Sequence, residues 1–583
     1  MGRIDGIIVC RNETGYGRVL MKKIKRMIAG CILAAAVIGF TACAVKEEQE
    51  AVVASESVSD TAQAAPSAEE QNLTEDVREG IRIADLGEGT AAGPAANVVN
   101  DIVFGWNLGN TLDSYSGTQL GHNEGLASET AWGNPKATQE LIDLVKDNGI
   151  NAVRVPVTWY NHMDSDYVID QEWMNRVQEV VDYVIHNDMY CIINVHHDTG
   201  AKGWLKASDA NLEEKETMYT AIWEQISVRF ADYDGKLMFE GFNELLNDSD
   251  EWVNPDNRAL EITNELNQIF VDTVRSSGGN NADRVLIVNT YCAGGNSQVT
   301  RDFVLPADSA VNSLIVEAHI YQPYYFTAEE SPDVTTWSRD GLDSYLDNMY
   351  TGFIQKGIPV IIGEFGCVDK GNATERLSWA KYYMETCKEY GIKCFWWDNG
   401  TAYKVFSRRS LKVAEPELLG TMLAAAKGEE YVPQAEEAEE VTDNLCANVD
   451  NWSGWANTGT QAVISYLPDG VSVEVIESGE EEWYIQGSYI NLTLEQGASY
   501  ELSFDYVATL DITIPYHFQQ NYEPYGVYVS GEMDCTKELQ HYTTTINMTQ
   551  ATDGNVALVF NCGKREESVP YTLTVTNLSL VKL

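Results

Sequence analysis

Between residues 81 and 428 short apolar runs alternate with longer segments whose apolar positions recur every three or four residues. The runs at 102–106, 152–157, 190–195, 237–242, 285–289, 314–320, 360–362 and 394–397 have the texture of strands buried on both faces. The periodic segments 138–148, 172–187, 212–230, 259–276, 342–356 and 374–390 predict amphipathic helices, several stopped by Gly149, Gly278, Gly357 or Gly391. Eight strands alternating with helices predict an α/β fold, a closed (β/α)8 TIM barrel. The competing open, doubly wound sheet would carry a glycine-rich dinucleotide loop after its first strand, and Gly105-Trp106-Asn107-Leu108-Gly109-Asn110 is not one. After 441 the texture changes. Short alternating segments at 462–466, 471–476, 483–486, 499–507, 543–548, 556–560 and 571–581, separated by turn residues, predict an all-β sandwich of jelly-roll type over 442–583. The acidic stretch 429–441 reads as a linker between the two, and the Ala/Ser/Glu-rich stretch 43–80 as a disordered tether that cannot bury enough surface to fold.

Charge narrows the partners. A formal net charge of -49 over 583 residues repels nucleic acid and anionic membrane surfaces and leaves neutral or cationic partners. The basic run Lys22-Lys23-Ile24-Lys25-Arg26, the apolar stretch 27–40 and Thr41-Ala42-Cys43 have the order of a secretion signal, so residues 1–42 are set apart as leader, with Met21 as the natural signal start. Phe40-Thr41-Ala42-Cys43 resembles a bacterial lipobox, which implies lipidation of Cys43 and an extracellular protein anchored to the bacterial cell surface, the anchor being its membrane contact. The remaining cysteines show no CxxC pair and no zinc spacing, so no metal or cofactor is expected.

Barrel sites sit at the carboxyl ends of the strands, and seven of these ends are polar. They carry Trp106-Asn107, Arg154, Asn194-Val195-His196-His197-Asp198, Asn243-Glu244, His319-Ile320-Tyr321, Glu364 and Trp397-Asp398. So many polar groups converging on one face would be costly to bury without a purpose. Glu244 and Glu364 end opposed strands, as cleavage of a glycosidic bond requires: one carboxylic acid protonates the leaving oxygen while the other carboxylate attacks the anomeric carbon. In that arrangement Asn243 holds a sugar 2-hydroxyl. Tyr321 and Arg154 keep Glu364 ionised, Arg154 by lowering its pKa. His196 and His319 shape the first subsite and tune Glu244, Trp132, Trp204 and Trp397 stack on sugar rings, and Asn107 and His197 complete the substrate wall. Glu240 and Glu317, inside their strands, read at least as well as structural hydrogen-bonding groups, and Trp396 as core. His197 and Asp198 read equally well as the finish of a loop.

These residues carry a resemblance. Gly105 to Asp113, Ala131-Trp132-Gly133-Asn134-Pro135, Arg154 to Trp159, Asn194-Val195-His196-His197, Gly241-Phe242-Asn243-Glu244, His319-Ile320-Tyr321, Gly363-Glu364-Phe365-Gly366 and Trp396-Trp397-Asp398-Asn399-Gly400 resemble glycoside hydrolase family 5, and in the opening motif and paired histidines its endoglucanase branch, subfamily 4. The resemblance implies a retaining endo-β-1,4-glucanase with Glu244 as acid/base and Glu364 as nucleophile, acting as a monomer on a β-glucan polysaccharide. Xyloglucan, xylan and mannan are the alternative substrates within the family. The carboxyl-terminal region resembles carbohydrate-binding modules of families 4 and 9 through Asn451-Trp452, Glu482 to Gln486 and Leu494 to Asp505, with Trp455, Trp483, Tyr484, Tyr516, Tyr522 and Tyr525 as candidate platforms. Two other classes compete: a metal-dependent barrel hydrolase built on His196, His197, His319 and Asp198, and a catalytically inactive glycan-binding protein.

Overall fold

The computed structural model describes residues 80–116, 124–433, 442–457, 459–467, 469–564 and 569–583. The leader, Cys43, the tether up to residue 79 and linker residues 434–441 lie outside the described residues.

Eight parallel strands close a barrel: β1 (Gly105–Leu108), β2 (Ala152–Val155), β3 (Tyr190–Asn194), β4 (Leu237–Glu240), β5 (Leu286–Asn289), β6 (Leu314–His319), β7 (Val360–Phe365) and β8 (Lys393–Asp398), with β8 paired back onto β1. Helices such as Gln139–Asp147, Gln171–His186 and Ala373–Tyr390 surround it, packing their apolar stripes on the outward faces of the strands. The interior is layered because side chains alternate faces along a strand. Ala152, Ile192, Met238, Ile287, Ile315, Ile361 and Phe395 form an apolar floor, plugged from below by Ala95, Val98, Val99 and Ile102. Two residues further along each strand, the same inward face carries Asn107, Arg154, Asn194, Glu240, Asn289, Glu317, Gly363 and Trp397. Glycine at 363 is a packing requirement: a Cβ there would lie 1.3 Å from Glu317 Oε1.

Two element boundaries differ from the sequence pattern. The first strand begins at Gly105 rather than at 102, because Ile102 caps the helix Pro94–Asp101 by bonding its N–H to Val98 O and belongs to the plug. The seventh strand runs on to Phe365, so Glu364 lies inside it. After β8 the chain forms a small hairpin, β9 (Phe406–Ser407) and β10 (Lys412–Val413), and then the helix Pro416–Lys427, opened by its proline.

The carboxyl-terminal region is a sandwich of two five-stranded antiparallel sheets. One has the order β11 (Trp452–Ala456), β14 (Ile485–Leu494), β19 (Asp553–Asn561), β16 (Ile512–Gln520), β17 (Val527–Cys535). The other has the order β12 (Gln461–Leu467), β13 (Gly470–Glu477), β20 (Tyr571–Lys582), β15 (Ser499–Ala508), β18 (Gln540–Asn547). The sequence pattern predicts neither β11, β16 nor β17, whose mixed polar and aromatic positions break simple alternation, and it places Trp483 in a strand where the chain makes a short 3-10 turn. Tyr516, a candidate platform, is a core residue: it is 2% exposed, faces Phe504 and Phe560 and bonds its hydroxyl to that of Tyr542. The eight described cysteines outside the leader are all buried and form no disulfide.

Candidate active site

Arg154 organises the barrel mouth. Fully buried on β2, it donates from Nε and Nη2 to both oxygens of Glu240 at 2.6 and 2.8 Å, from Nη1 to Glu364 Oε1 at 2.7 Å, and from Nη2 to Asn243 Oδ1 at 2.8 Å. Its Nε also lies 3.5 Å from Glu317 Oε1. Burial works against a guanidinium here, but Glu240, Glu317 and Glu364 outweigh it and push its pKa up, so the charge is fixed. The two strand-internal glutamates are fully buried and hydrogen-bonded to buried partners. Burial pushes Glu240 up, while in Glu317 burial is overcome by Arg154 and His319 and its pKa is held down. Asn194 donates to Glu240 at 2.9 Å and Asn289 to Glu317 at 2.7 Å, completing a buried polar layer beneath the mouth.

Above that layer sit the two expected carboxylates. Glu364 receives Arg154 on Oε1 and the Tyr321 hydroxyl on Oε2 at 2.9 Å. Burial, then Glu364 itself, push the Tyr321 phenol up, so it stays a donor. Glu244, on the loop after β4, meets His319 Nδ1 at 2.9 Å. The other ring nitrogen of His319 lies 3.3 Å from Glu317, and Nδ1 is 3.7 Å from Glu364. Burial opposes a charge on His319, but Glu364, Glu244 and Glu317 together push its pKa up to about 10, making it an imidazolium across the neutral range. One oxygen of Glu244, one of Glu364 and a ring nitrogen of His319 lie within 4.8 Å of one another.

One electrostatic expectation holds only in part. Arg154 lowers the pKa of Glu364 as expected, but the net shift is upward, which corrects the picture of a carboxyl kept below its usual range: burial dominates, His319 and Arg154 only partly offset it, and Glu244 adds to it. A second correction concerns Asn107, expected at the substrate. It is fully buried, with its amide nitrogen on Gly363 O and Trp396 O and its oxygen taken by Arg154, so it positions the guanidinium from behind.

The remaining wall is aromatic. Trp397 lies parallel to His196, 5.8 Å between ring centroids and 7° between planes, and His196 meets His197 edge-on, with Trp132 5.1 Å beyond it. Burial, followed by His197, Arg154 and His319, pushes His196 well down, so it is neutral. Trp204, half-buried, sits on the loop whose Gly200 N–H bonds Glu244 O. Its indole donates to Asp198, which also accepts from the backbone of Trp159 and Tyr160 and therefore finishes a loop. Trp396 is core, as expected.

Sequence reasoning gives several members of this site no role. Asn194 is named only among the polar strand ends and Asn289, at the end of β5, not at all; counting two residues on from the apolar floor finds both. Asp113, 3.3 Å from His197, and Tyr403, packed against Tyr321, lie on loops with no periodic signal. Asp113, His196 and His197 offer ligand atoms within 4.8 Å of one another, as do Glu244, His319 and Glu364. The set His196, His197, His319 and Asp198 forms no such cluster among the described residues.

Known proteins resemble this chain over the barrel. The family model "Cellulase (glycosyl hydrolase family 5)" matches residues 115–403. Endoglucanase B of Neocallimastix patriciarum is 40% identical over 339 residues, 56% of this chain and 70% of that protein. The cellulase/esterase CelE of Acetivibrio thermocellus is 39% identical over 353 residues, 58% of this chain but only 41% of that protein. Among solved structures, a GH5-4 broad specificity endoglucanase from Ruminococcus champanellensis with bound cellotriose superposes with a TM-score of 0.54 at 43% identity, covering 58% of this chain and 99% of that one. With a family model matching the barrel from β2 to β8, and a 40% identical relative covered over more than two thirds of its length, the chain belongs to the cellulase family, glycosyl hydrolase family 5.

Proposed function

We propose that this glycoside hydrolase is an endo-β-1,4-glucanase that cleaves neutral β-glucan chains by double displacement with retention, Glu364 acting as nucleophile and Glu244 as acid/base. The observation that carries the reading is that one oxygen of Glu244 and one of Glu364 lie within 4.8 Å of each other, with His319 Nδ1 2.9 Å from Glu244 and 3.7 Å from Glu364. Retention needs carboxyl groups about 5 to 5.5 Å apart, whereas an inverting pair stands about 6.5 to 9.5 Å apart to admit a water. Glu364 is held from two sides by Arg154 and Tyr321, which aims one oxygen and stabilises the anion despite its burial. It attacks the anomeric carbon as Glu244 gives its proton to the departing sugar oxygen. Glu244 then takes a proton from the water that releases the glycosyl ester. Because Arg154 occupies Asn243 Oδ1, the amide N–H groups of Asn243 are left for the sugar 2-hydroxyl. Trp397, Trp132 and Trp204 supply flat faces for neighbouring rings. Proton NMR of the first products tests this: β-anomers appearing ahead of mutarotation are expected, and α-anomers would overturn it.

Cellotriose bound by the Ruminococcus champanellensis enzyme supports a β-1,4-glucan substrate for this chain too. Product analysis on defined glucan, xyloglucan, xylan and mannan checks that choice, with fastest turnover expected on glucan. We read the sandwich as a glycan-binding module. Trp455 and Trp483 stack face to face at 5.7 Å and 12°, 43% and 50% exposed, with Tyr484 edge-on to Trp483. Trp455 is the cross-strand partner of Gln486, whose amide is bonded to Asn561 at 2.8 Å, so an aromatic wall stands beside an amide pair. Tyr522 and Tyr525 are exposed as well, Tyr522 with its hydroxyl on Asp553. The leader supports secretion, and Cys43 a lipid anchor at the cell surface; loss of labelled palmitate from a Cys43→Ala variant is the check.

A further inference from the structure

The hairpin β9–β10 carries two adjacent arginines that face opposite ways. Arg408 turns into the barrel, donating to Gly109 O at 2.8 Å, Thr111 Oγ1 at 2.7 Å and Asp398 O at 2.5 Å, so it ties together the loops that follow β1 and β8. Arg409 turns towards the sandwich. Its Nη1 donates to Trp452 O at 2.5 Å, its Nη2 to Gly133 O at 3.1 Å, and its guanidinium lies 3.5 Å from the centroid of the Tyr466 ring. Ser407 and Ser410 of the same hairpin bond Asp450, one turn before β11, at 2.6 and 3.3 Å. One side chain therefore grips three places: the barrel loop at Gly133, the start of β11 at Trp452, and β12 at Tyr466.

Two of these grips, at Gly133 and Trp452, lie next to the aromatics read above as sugar-facing. Gly133 follows Trp132, which leads through His197 and His196 to Trp397 at the mouth. Trp452 stands three residues before Trp455 on the same strand. Arginine suits the position because a planar fork reaches two carbonyls while its face stacks on a phenol, which a lysine ammonium cannot do. We propose that Arg409 is a positioning residue that locks the sandwich onto the cleft wall, so that the Trp132 subsite and the Trp455–Trp483 pair are presented to one glucan chain as a single unit. The proposal rests on the reading of Trp132 as substrate wall. A sandwich joined through the acidic linker alone would leave the Trp132 loop without its outer support.

Full-length Arg409→Ala and Arg409→Lys test it, with a soluble mixed-linkage β-glucan, a chromogenic aryl β-cellobioside and calorimetric melts. For Arg409→Ala the expected result is a KM for the polymer raised about tenfold, roughly the loss of 1.4 kcal/mol of binding. Polymer kcat and aryl-cellobioside kinetics stay within about twofold, and the melt separates into two transitions. Arg409→Lys, keeping the charge without the fork, falls between. An unchanged polymer KM with an undivided melt would overturn the proposal, as would equal losses on both substrates, the mark of general damage. A wild-type enzyme inactive on β-glucan would instead refute the functional reading itself.

Discussion

The barrel mouth and the outer face of the sandwich handle polar and aromatic groups in opposite ways. At the mouth Arg154, Glu240, Glu317, His319 and Glu364 are buried together, and nearly every polar atom is committed to a named partner. On the sandwich Trp455, Trp483, Tyr522 and Tyr525 stand in solvent with few fixed contacts. The difference follows from the work proposed for each. Bond cleavage needs charges held in one geometry before the substrate arrives, which a water-poor, over-determined network provides. Holding a neutral chain needs flat apolar surface within reach, and a ring loses little by waiting exposed.

Removing a member of the mouth should therefore cost far more than removing a ring. Glu364→Gln, nearly isosteric, is expected to lower kcat on β-glucan by at least about 10⁴-fold with an unchanged melt. Glu244→Gln should lose polymer turnover while still attacking aryl glycosides whose leaving group needs no proton. Arg154→Met strips the shared cation from three buried carboxylates and should destabilise the barrel by about 3–5 kcal/mol in urea titrations, besides abolishing activity. If it melted like wild type, the mouth would not be the interlocked network drawn above.

His319 gives the comparison a pH signature. Its folded pKa of about 10 stands above the ordinary 6.5, so the stability it contributes is complete below 6.5 and lost as the pH rises through about 10. His319→Gln should flatten that alkaline fall in melting temperature. The same variant should move the acid limb of kcat/KM to higher pH, because removing a cation beside Glu364 favours its protonated form, already raised by burial. The smallest effects belong to the sandwich. Trp455→Ala and Trp483→Ala should each weaken retention on β-glucan affinity gels by about 0.5–1.5 kcal/mol, with aryl-cellobioside turnover unchanged.

The sequence pattern carried the barrel well because parallel strands buried on both faces are apolar runs, and because a site at strand ends places its residues in chain order. Glu244, Glu364, Arg154, His319 and Tyr321 were legible for that reason. Asn107 was misplaced because an asparagine that lines a sugar and one that holds an arginine from behind look alike in one dimension. The upward shift of Glu364 needed the depth of burial, which no motif records. Tyr516 failed as a platform because exposure on a half-polar strand depends on register, and here its row faces Phe504 and Phe560. Arg409 carried no signal at all, since its partners Gly133, Trp452 and Tyr466 are brought together only by folding.

The central claim, that Glu364 forms a covalent bond to the substrate, has a direct test in trapping. Incubation with a 2-deoxy-2-fluoro-cellobioside bearing a good leaving group slows release of the glycosyl enzyme more than the fast activated first step, so the intermediate accumulates. Peptide mass spectrometry should then find one fluorocellobiosyl group esterified to Glu364. An adduct on another residue, or full turnover of the reagent by an enzyme that never carries one, would contradict the account.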